Sequence, residues 1–196
     1  MVKSQPLLCG LNVTIPYKTA IIPYLDVVDT IADETGAVNC ISIKNGIKSG
    51  YNTDVIGFEE SLKPLLKPFH TLALVLGTGG ASKAVCYVLK KLGIEYLQVS
   101  RSKRMDTITY DELTEDFIKA HTLIINTTPL GMQPNTDSCP DLPYQYVGSQ
   151  HLLYDLIYNP ADTKFLSLGK QYGATIKNGL EMLQLQAEAS WTIWNS

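Results

Sequence analysis

Leu72-Ala73-Leu74-Val75-Leu76-Gly77-Thr78-Gly79-Gly80-Ala81-Ser82 is the stretch that decides the fold. The run Leu72–Leu76 is apolar without interruption, as a strand buried on both faces requires. It passes directly into a glycine-rich turn, and Lys83–Leu92 then reads as a helix. Strand, glycine turn and helix in this order form the dinucleotide-binding fingerprint. Gly77 permits the tight turn. Gly79 lets the backbone approach a pyrophosphate with no side chain between, and Gly80 and Ala81 complete the candidate cofactor-binding turn. Ser82 stands where a third glycine often stands and is still small enough for close packing. The helix N-terminus offers free N–H groups to phosphate.

The next apolar run ends at Gln98-Val99-Ser100-Arg101-Ser102-Lys103-Arg104. An NAD site usually has Asp or Glu here for the ribose 2′-OH. This sequence has none. Arg101 and Arg104 suit a 2′-phosphate, with Ser100 and Ser102 as hydrogen-bond donors, so the expected cofactor is NADP. The alternative is a solvated basic turn.

Working outward, strands and helices alternate. Strands are expected at Tyr96–Val99, Thr122–Asn126, Leu152–Tyr154 and Ala174–Ile176, with helix Tyr110–Lys119 between the first two and helix Asp162–Gln171 between the last two. That alternation implies right-handed crossovers and a parallel sheet. Leu180–Trp194 is a helix with apolar residues three or four apart. On the N-terminal side, Cys9–Val13 is a strand, Pro16 opens a helix to about Leu25, and Asp29–Thr35 is a short helix stopped by Gly36. Ala37–Ile43 and Ile47–Tyr51 pair through the Asn45-Gly46 turn. Thr53 is expected to cap a helix running to about Leu66. The fold class is α/β: a Rossmann-type parallel sheet plus a smaller α/β domain.

Composition excludes several function classes. Of 196 residues, 45% are hydrophobic and 18% charged, as in ordinary globular proteins. The formal net charge of −3, without a basic stripe, argues against nucleic acid as a partner. The apolar runs are strand-sized, so no membrane span is expected. The opening Met1-Val2-Lys3-Ser4-Gln5-Pro6 has no apolar stretch of signal-peptide length, and a cytoplasmic protein is expected. Cys9, Cys40, Cys86 and Cys139 have no metal spacing, and the first three read as small core residues. His70, His121 and His151 read as structural, and no metal site is expected.

Polar clusters at strand or helix ends occur at Thr14–Lys18, Gly36–Asn39 and Asn52–Asp54. Such ends converge on pockets. Lys18 is a candidate proton donor, Asp54 its carboxylate partner, and Thr14 and Asn39 orienting groups. The alternative makes Thr14 and Thr53 helix caps and Lys18–Asp54 a surface ion pair.

Taken in order, Asn12-Val13-Thr14-x-Pro16-x-Lys18, Gly36-Ala37-Val38-Asn39, Gly50-Tyr51-Asn52-Thr53-Asp54-x-x-Gly57, Gly77-x-Gly79-Gly80-Ala81, Asn126-Thr127-Thr128-Pro129-x-Gly131-Met132 and Gly179-x-x-Met182-Leu183-x-x-Gln186 resemble the shikimate dehydrogenase family. The resemblance runs from about Leu11 to Trp194. It implies NADPH-dependent, reversible reduction of 3-dehydroshikimate to shikimate, in aromatic amino-acid biosynthesis. It makes Lys18 and Asp54 the catalytic pair. Thr14, Asn39, Tyr158 and Gln186 become substrate-binding positions, and Thr127 and Gly179 join the cofactor site.

It implies a substrate domain of residues 1–54 and 179–196 and an NADP domain of residues 55–178. Family members begin with a further strand, helix and strand carrying a Ser-x-Ser motif for the substrate carboxylate. Ser4 alone does not stand for that motif. The resulting expectations are unpaired sheet edges that could serve a homo-oligomer, and a chain that binds NADP but turns over shikimate poorly or not at all. Two alternatives stay open: a non-catalytic NADP-binding protein or inactive fragment, and an enzyme of the same type acting on quinate.

Overall fold

The computed structural model describes residues 8–196. The opening segment with Ser4 lies outside the described residues.

The chain first forms β1 (Gly10–Asn12), β2 (Val27–Val28), α1 (Thr30–Thr35), β3 (Cys40–Lys44) and β4 (Ile47–Tyr51). Asp29 caps α1 by accepting the Ile31 N–H, and Gly36 ends it at φ +57°, a conformation suited to glycine. Asn45 and Gly46 both have positive φ, so the β3–β4 turn takes the hairpin form its sequence signals. These strands form a four-stranded mixed sheet in the order β1-β3-β4-β2.

The strands β1 and β2 are its edges, and Leu11 and Val27 are exposed there. Cys9, expected in the core, is exposed instead, because it leads into edge strand β1. No helix forms over Pro16–Leu25; only Ile22–Tyr24 makes a short 3-10 turn. Pro23 lacks the N–H that an α-helix running through it would donate to the Thr19 carbonyl, and it sits instead in the first positions of the short turn, where no such donor is needed. The residues after that turn pair instead, and Val27 and Val28 run parallel to β4. Sequence reading missed that strand because two residues carry no periodicity.

Next come α2 (Thr53–Leu62), β5 (Leu72–Leu76), α3 (Gly80–Lys91), β6 (Glu95–Ser100) and β7 (Thr107–Thr109). They are followed by α4 (Glu115–Ala120), β8 (Leu123–Asn126), β9 (Leu152–Asp155), α5 (Lys164–Gln171), β10 (Thr175–Lys177) and α6 (Leu180–Asn195). The six parallel strands lie in the order β10-β9-β8-β5-β6-β7. This is the Rossmann-type arrangement. The chain winds outward from β5 through β6 to β7, then returns to the other side of β5 at β8. The expected helix Tyr110–Lys119 is split into a 3-10 turn at Tyr110–Glu112 and α4, because Thr114 caps a new helix start. Strand β7 needs no helical crossover. It pairs only with Gln98–Ser100 at the end of β6, so a short loop reaches it.

One face of this sheet packs Val75, Leu123, Leu152 and Tyr154 against Val85 and Val88 of α3, Val55, Phe58 and Leu62 of α2, and Met182 of α6. The other face packs Leu74, Leu76, Ile124 and Leu153 against Ile118 of α4 and Phe165 of α5. The smaller sheet has its own core of Ala32, Val38 and Ile41. Helix α6 spans both regions. Met182 sits in the large core, while near its end the Trp194 indole N–H donates to the Ile41 carbonyl of β3 at 3.0 Å. Among the described residues no helix is long and apolar enough to cross a membrane. His70 and His151 each have ring nitrogens on backbone groups, and His121 is tied to the Phe117 carbonyl.

Candidate active site

In a doubly wound sheet, ligands sit beyond the carboxyl ends of the strands, where the winding direction reverses. Here that point lies between β5 and β8, and the residues leaving those strands are Gly77 and Thr127. Gly77 has φ +109°, and a Cβ there would meet Thr127 Oγ1 at 2.8 Å. The Thr127 hydroxyl donates to the Leu76 carbonyl at 2.7 Å, which locks the two loops together. Gly79 precedes α3 with a non-positive φ, and a Cβ there would meet nothing within 4 Å. Its missing side chain therefore leaves open space beside the helix N-terminus, as a pyrophosphate requires. The residues present fit a dinucleotide.

The basic turn lies alongside. Arg104 reaches back to the glycine turn, its Nη1 donating to Thr78 Oγ1 at 3.1 Å. Its backbone N–H is held by Thr107 Oγ1 at 3.0 Å. Arg101 is exposed, Ser100 is buried at the end of β6, and Lys103 is paired with Glu112 at 2.6 Å. Burial pushes the Tyr110 hydroxyl up to about 12, and the neighbouring Arg101 charge opposes that rise.

The second cluster is built where the smaller sheet meets α2 and α6. Lys18 Nζ lies 2.6 Å from Asp54 Oδ2, with the two side chains 14% and 9% exposed. This is a largely sheltered ion pair, not the surface pair of the alternative reading. The Lys18 backbone is fixed as well, because the Val38 N–H donates to its carbonyl at 2.8 Å. Asn39 Nδ2 donates to Asp54 Oδ1 at 2.9 Å and also faces Thr53 Oγ1 at 2.9 Å and Gln186 Oε1 at 3.3 Å. An amide has only two N–H bonds, so the long contact to Gln186 is the weakest of these and the easiest to give up.

Thr53 does not cap α2 as expected. It is the helix's first residue. Its N–H donates to Asn39 Oδ1 at 2.7 Å, and its hydroxyl meets Ser190 Oγ at 3.0 Å.

The two clusters adjoin. A Cβ on Gly80 would lie 3.6 Å from Lys18 Cβ. The structure thus brings together Lys18, Asp54, Asn39 and Gln186 next to the glycine turn. Thr14 is exposed at the bend before Lys18, where its carbonyl accepts the Tyr17 N–H. Tyr158 is exposed in the loop after β9. Gly179 lies beside that loop, its N–H donating to the Ile157 carbonyl at 3.0 Å.

Sequence reasoning missed three supporting residues. Ser190 stands four positions after Gln186 and so shares its helix face. Thr53 was legible only as a cap. Asp155, fully buried at the end of β9, accepts from Asn126 Nδ2 at 3.0 Å, the Ile157 N–H at 3.0 Å and the Thr163 hydroxyl at 2.6 Å. Burial raises its carboxyl to about 6, against the lowering effect of those donors.

Residues 2–41 match the family model for the shikimate dehydrogenase substrate binding domain. A curated relative from Methanosphaera stadtmanae, named shikimate dehydrogenase (NADP(+)), is 39% identical over 202 residues, covering 94% of this chain and 71% of that protein. The chain belongs to the shikimate dehydrogenase family. The crystal structure of shikimate dehydrogenase from Aquifex aeolicus matches at a TM-score of 0.86 and 38% identity, over 96% of this chain and 72% of that one. The Thermus thermophilus shikimate 5-dehydrogenase, solved in complex with NADP(H) and shikimate, matches at 0.86 and 30% identity, over 98% of this chain and 75% of that one. Membership of this family fits a glycine turn with a basic turn beside it and a Lys–Asp pair placed next to Gly80.

Proposed function

We propose that this shikimate dehydrogenase family member reduces 3-dehydroshikimate reversibly to shikimate with NADPH. The observation that carries the reading is the sheltered Lys18–Asp54 pair placed against Gly80 of the dinucleotide turn. When bound at Gly77–Ala81, with Ser100, Arg101 and Arg104 at its 2′-phosphate and Thr127 and Gly179 at its other end, NADPH supplies the hydride. Lys18 then holds the proton for the carbonyl oxygen, and its charge stabilises the developing alkoxide. Asp54 fixes the ammonium through Oδ2, while Oδ1 stays on Asn39. Thr14, Asn39, Tyr158 and Gln186 orient the substrate hydroxyls.

In the same reading, residues 1–54 and 179–196 form the substrate domain and residues 55–178 the NADP domain. The protein works in the cytoplasm, and self-association uses the edge of the smaller sheet, where Tyr24 and Val27 are exposed.

The test is a steady-state assay of shikimate oxidation with NADP, run beside Lys18→Met and with quinate as a competing substrate. Turnover of shikimate that falls by about two orders of magnitude or more in Lys18→Met supports the reading. NADP binding without turnover of either substrate would leave a cofactor-binding protein. Faster turnover of quinate would reassign the substrate.

A further inference from the structure

Lys83 stands in the first turn of α3, the phosphate-facing end of the glycine turn. A cation is electrostatically disfavoured at a helix N-terminus. Its Nζ leaves that helix and donates to the Gly36 carbonyl at 2.8 Å, with Thr19 Oγ1 at 3.4 Å. Gly36 is the C-cap of α1, where the carbonyl ends carry partial negative charge. The ammonium therefore moves from an unfavourable helix end to a favourable one, across the boundary between the two sheets.

What it grips matters more than the bond itself. Gly36 opens the segment Gly36–Asn39, and that segment holds both members of the catalytic pair. The Val38 N–H fixes the Lys18 carbonyl. Asn39 fixes Asp54 Oδ1. The secondary partner, Thr19, is the residue after Lys18. Gly80 of the glycine turn is a neighbour of Lys18, since a Cβ on it would be in van der Waals contact with that side chain. A line of contacts runs from the turn that seats the cofactor, through Lys83, to the backbone that aims Lys18 and Asp54.

We propose that Lys83 is a positioning residue that registers the Lys18–Asp54 pair against the cofactor's phosphate turn by holding the Gly36 carbonyl. The proposal rests on the reading of Lys18 and Asp54 as the catalytic pair and of Gly77–Ala81 as the cofactor seat. Lys83 touches neither substrate nor the reacting atoms. Losing its ammonium should loosen residues 36–39 without disturbing the turn itself.

The experiment uses the full chain with Lys83→Met, which keeps the apolar stem and length, and Lys83→Arg, which keeps a cationic donor. Backbone amide exchange at Ala37, Val38 and Asn39, NADP affinity, kcat and KM are measured for each. Those amides donate to Ala32, Lys18 and Tyr51 carbonyls, so their opening is readable. In Lys83→Met they are expected to exchange about tenfold faster, the loss of one charge-assisted bond. The NADP affinity is expected to stay within about twofold and kcat to fall about tenfold or more, from misplacement of the pair. Lys83→Arg is expected to recover most of both losses.

Unchanged exchange at residues 37–39 in Lys83→Met overturns the proposal. So does a loss confined to NADP affinity, which would make Lys83 a simple phosphate contact. If the unmodified chain fails to turn over shikimate, the proposed function falls, while the exchange comparison without cofactor still decides the role of Lys83.

Discussion

Asn39 Nδ2 lies 2.9 Å from Asp54 Oδ1, so the carboxylate oxygen that Lys18 does not use is already taken by an amide. Both side chains are buried. The arrangement occupies both carboxylate oxygens of Asp54 and so restrains the Lys18 ammonium that one of them holds. Asn39→Ala removes the donor to Asp54 and the acceptor for the Thr53 N–H together. Two buried polar groups lose partners, at a cost of about 1–3 kcal/mol each. The variant is expected to unfold at lower denaturant and to lose about a hundredfold in kcat, with NADP affinity little changed. Equilibrium unfolding, cofactor titration and steady-state rates check the three parts. Full turnover in this variant would remove Asn39 from the site.

On the basic turn that follows β6, Arg101 and Arg104 differ in what they touch. Both are exposed after the end of β6, but Arg104 is also engaged with Thr78. Arg101→Ala is expected to weaken NADP by about 1.5–3 kcal/mol, the value of a hydrogen bond to a charged group, and to leave NAD binding almost unchanged. Titration of both cofactors against both proteins measures the difference. Equal losses for the two would end the 2′-phosphate assignment.

How much was legible beforehand follows from where the information sits. Leu72–Leu76 matched its strand to the residue because a strand buried on both faces must be apolar throughout. The glycine turn was readable because backbone approach demands glycine, whatever surrounds it. Lys18, Asp54 and Asn39 were readable as residue types at element ends, but only the fold shows that they share one cluster.

The failures are as specific. Pro16 suggested a helix, and Pro23 a few residues later denies it. Thr53 suggested a cap, but its hydroxyl faces Ser190, 137 positions away. Asp155 gave no signal at all. A buried carboxylate is defined by partners that no spacing rule ties to it: Asn126, 29 positions earlier on the neighbouring strand, and Thr163, 8 positions later at the cap of α5.

That buried carboxylate sets a pH dependence. The Asp155 carboxyl is raised in the folded chain to about 6 from an ordinary 3.8. The folded state therefore holds its proton more tightly than the unfolded state. The stability it contributes is complete below the unfolded value and is lost as pH rises through the folded one. Glu59 works in the opposite sense, because its bonds to Lys63 and Lys91 outweigh burial and lower its carboxyl. A comparison of variants separates the two. Asp155→Asn stays neutral at every pH and keeps an oxygen for Asn126 and Ile157. Its stability relative to the unmodified chain is expected to rise between pH 4 and pH 7, by up to about 3 kcal/mol. Urea unfolding at several pH values in that window measures it. A difference that does not change with pH would mean that Asp155 stays ionised in the fold.

Two glycines make the last prediction, because they are required for opposite reasons. At Gly179 a Cβ would meet the Leu156 carbonyl oxygen at 2.1 Å. Backbone cannot give way as a flexible side chain can, so the loop after β9 and the start of α6 must part. Gly179→Ala is expected to cost about 1–3 kcal/mol of stability, as overpacking does. At Gly79 a Cβ would meet nothing, and φ is −85°, which alanine adopts freely. Only a ligand brought against the turn could object to a methyl group there. Gly79→Ala is therefore expected to keep its stability within about 1 kcal/mol, since the small loss of an N-cap glycine is offset by a stiffer unfolded chain. Its NADP affinity is expected to fall at least tenfold, because pyrophosphate oxygens can no longer reach the α3 N–H groups. Thermal unfolding without cofactor and NADP titration, run on both variants, separate packing from binding. A Gly79→Ala protein that binds NADP normally would show that the phosphates lie elsewhere. One that is destabilised as much as Gly179→Ala would show that Gly79 serves the fold and not the ligand.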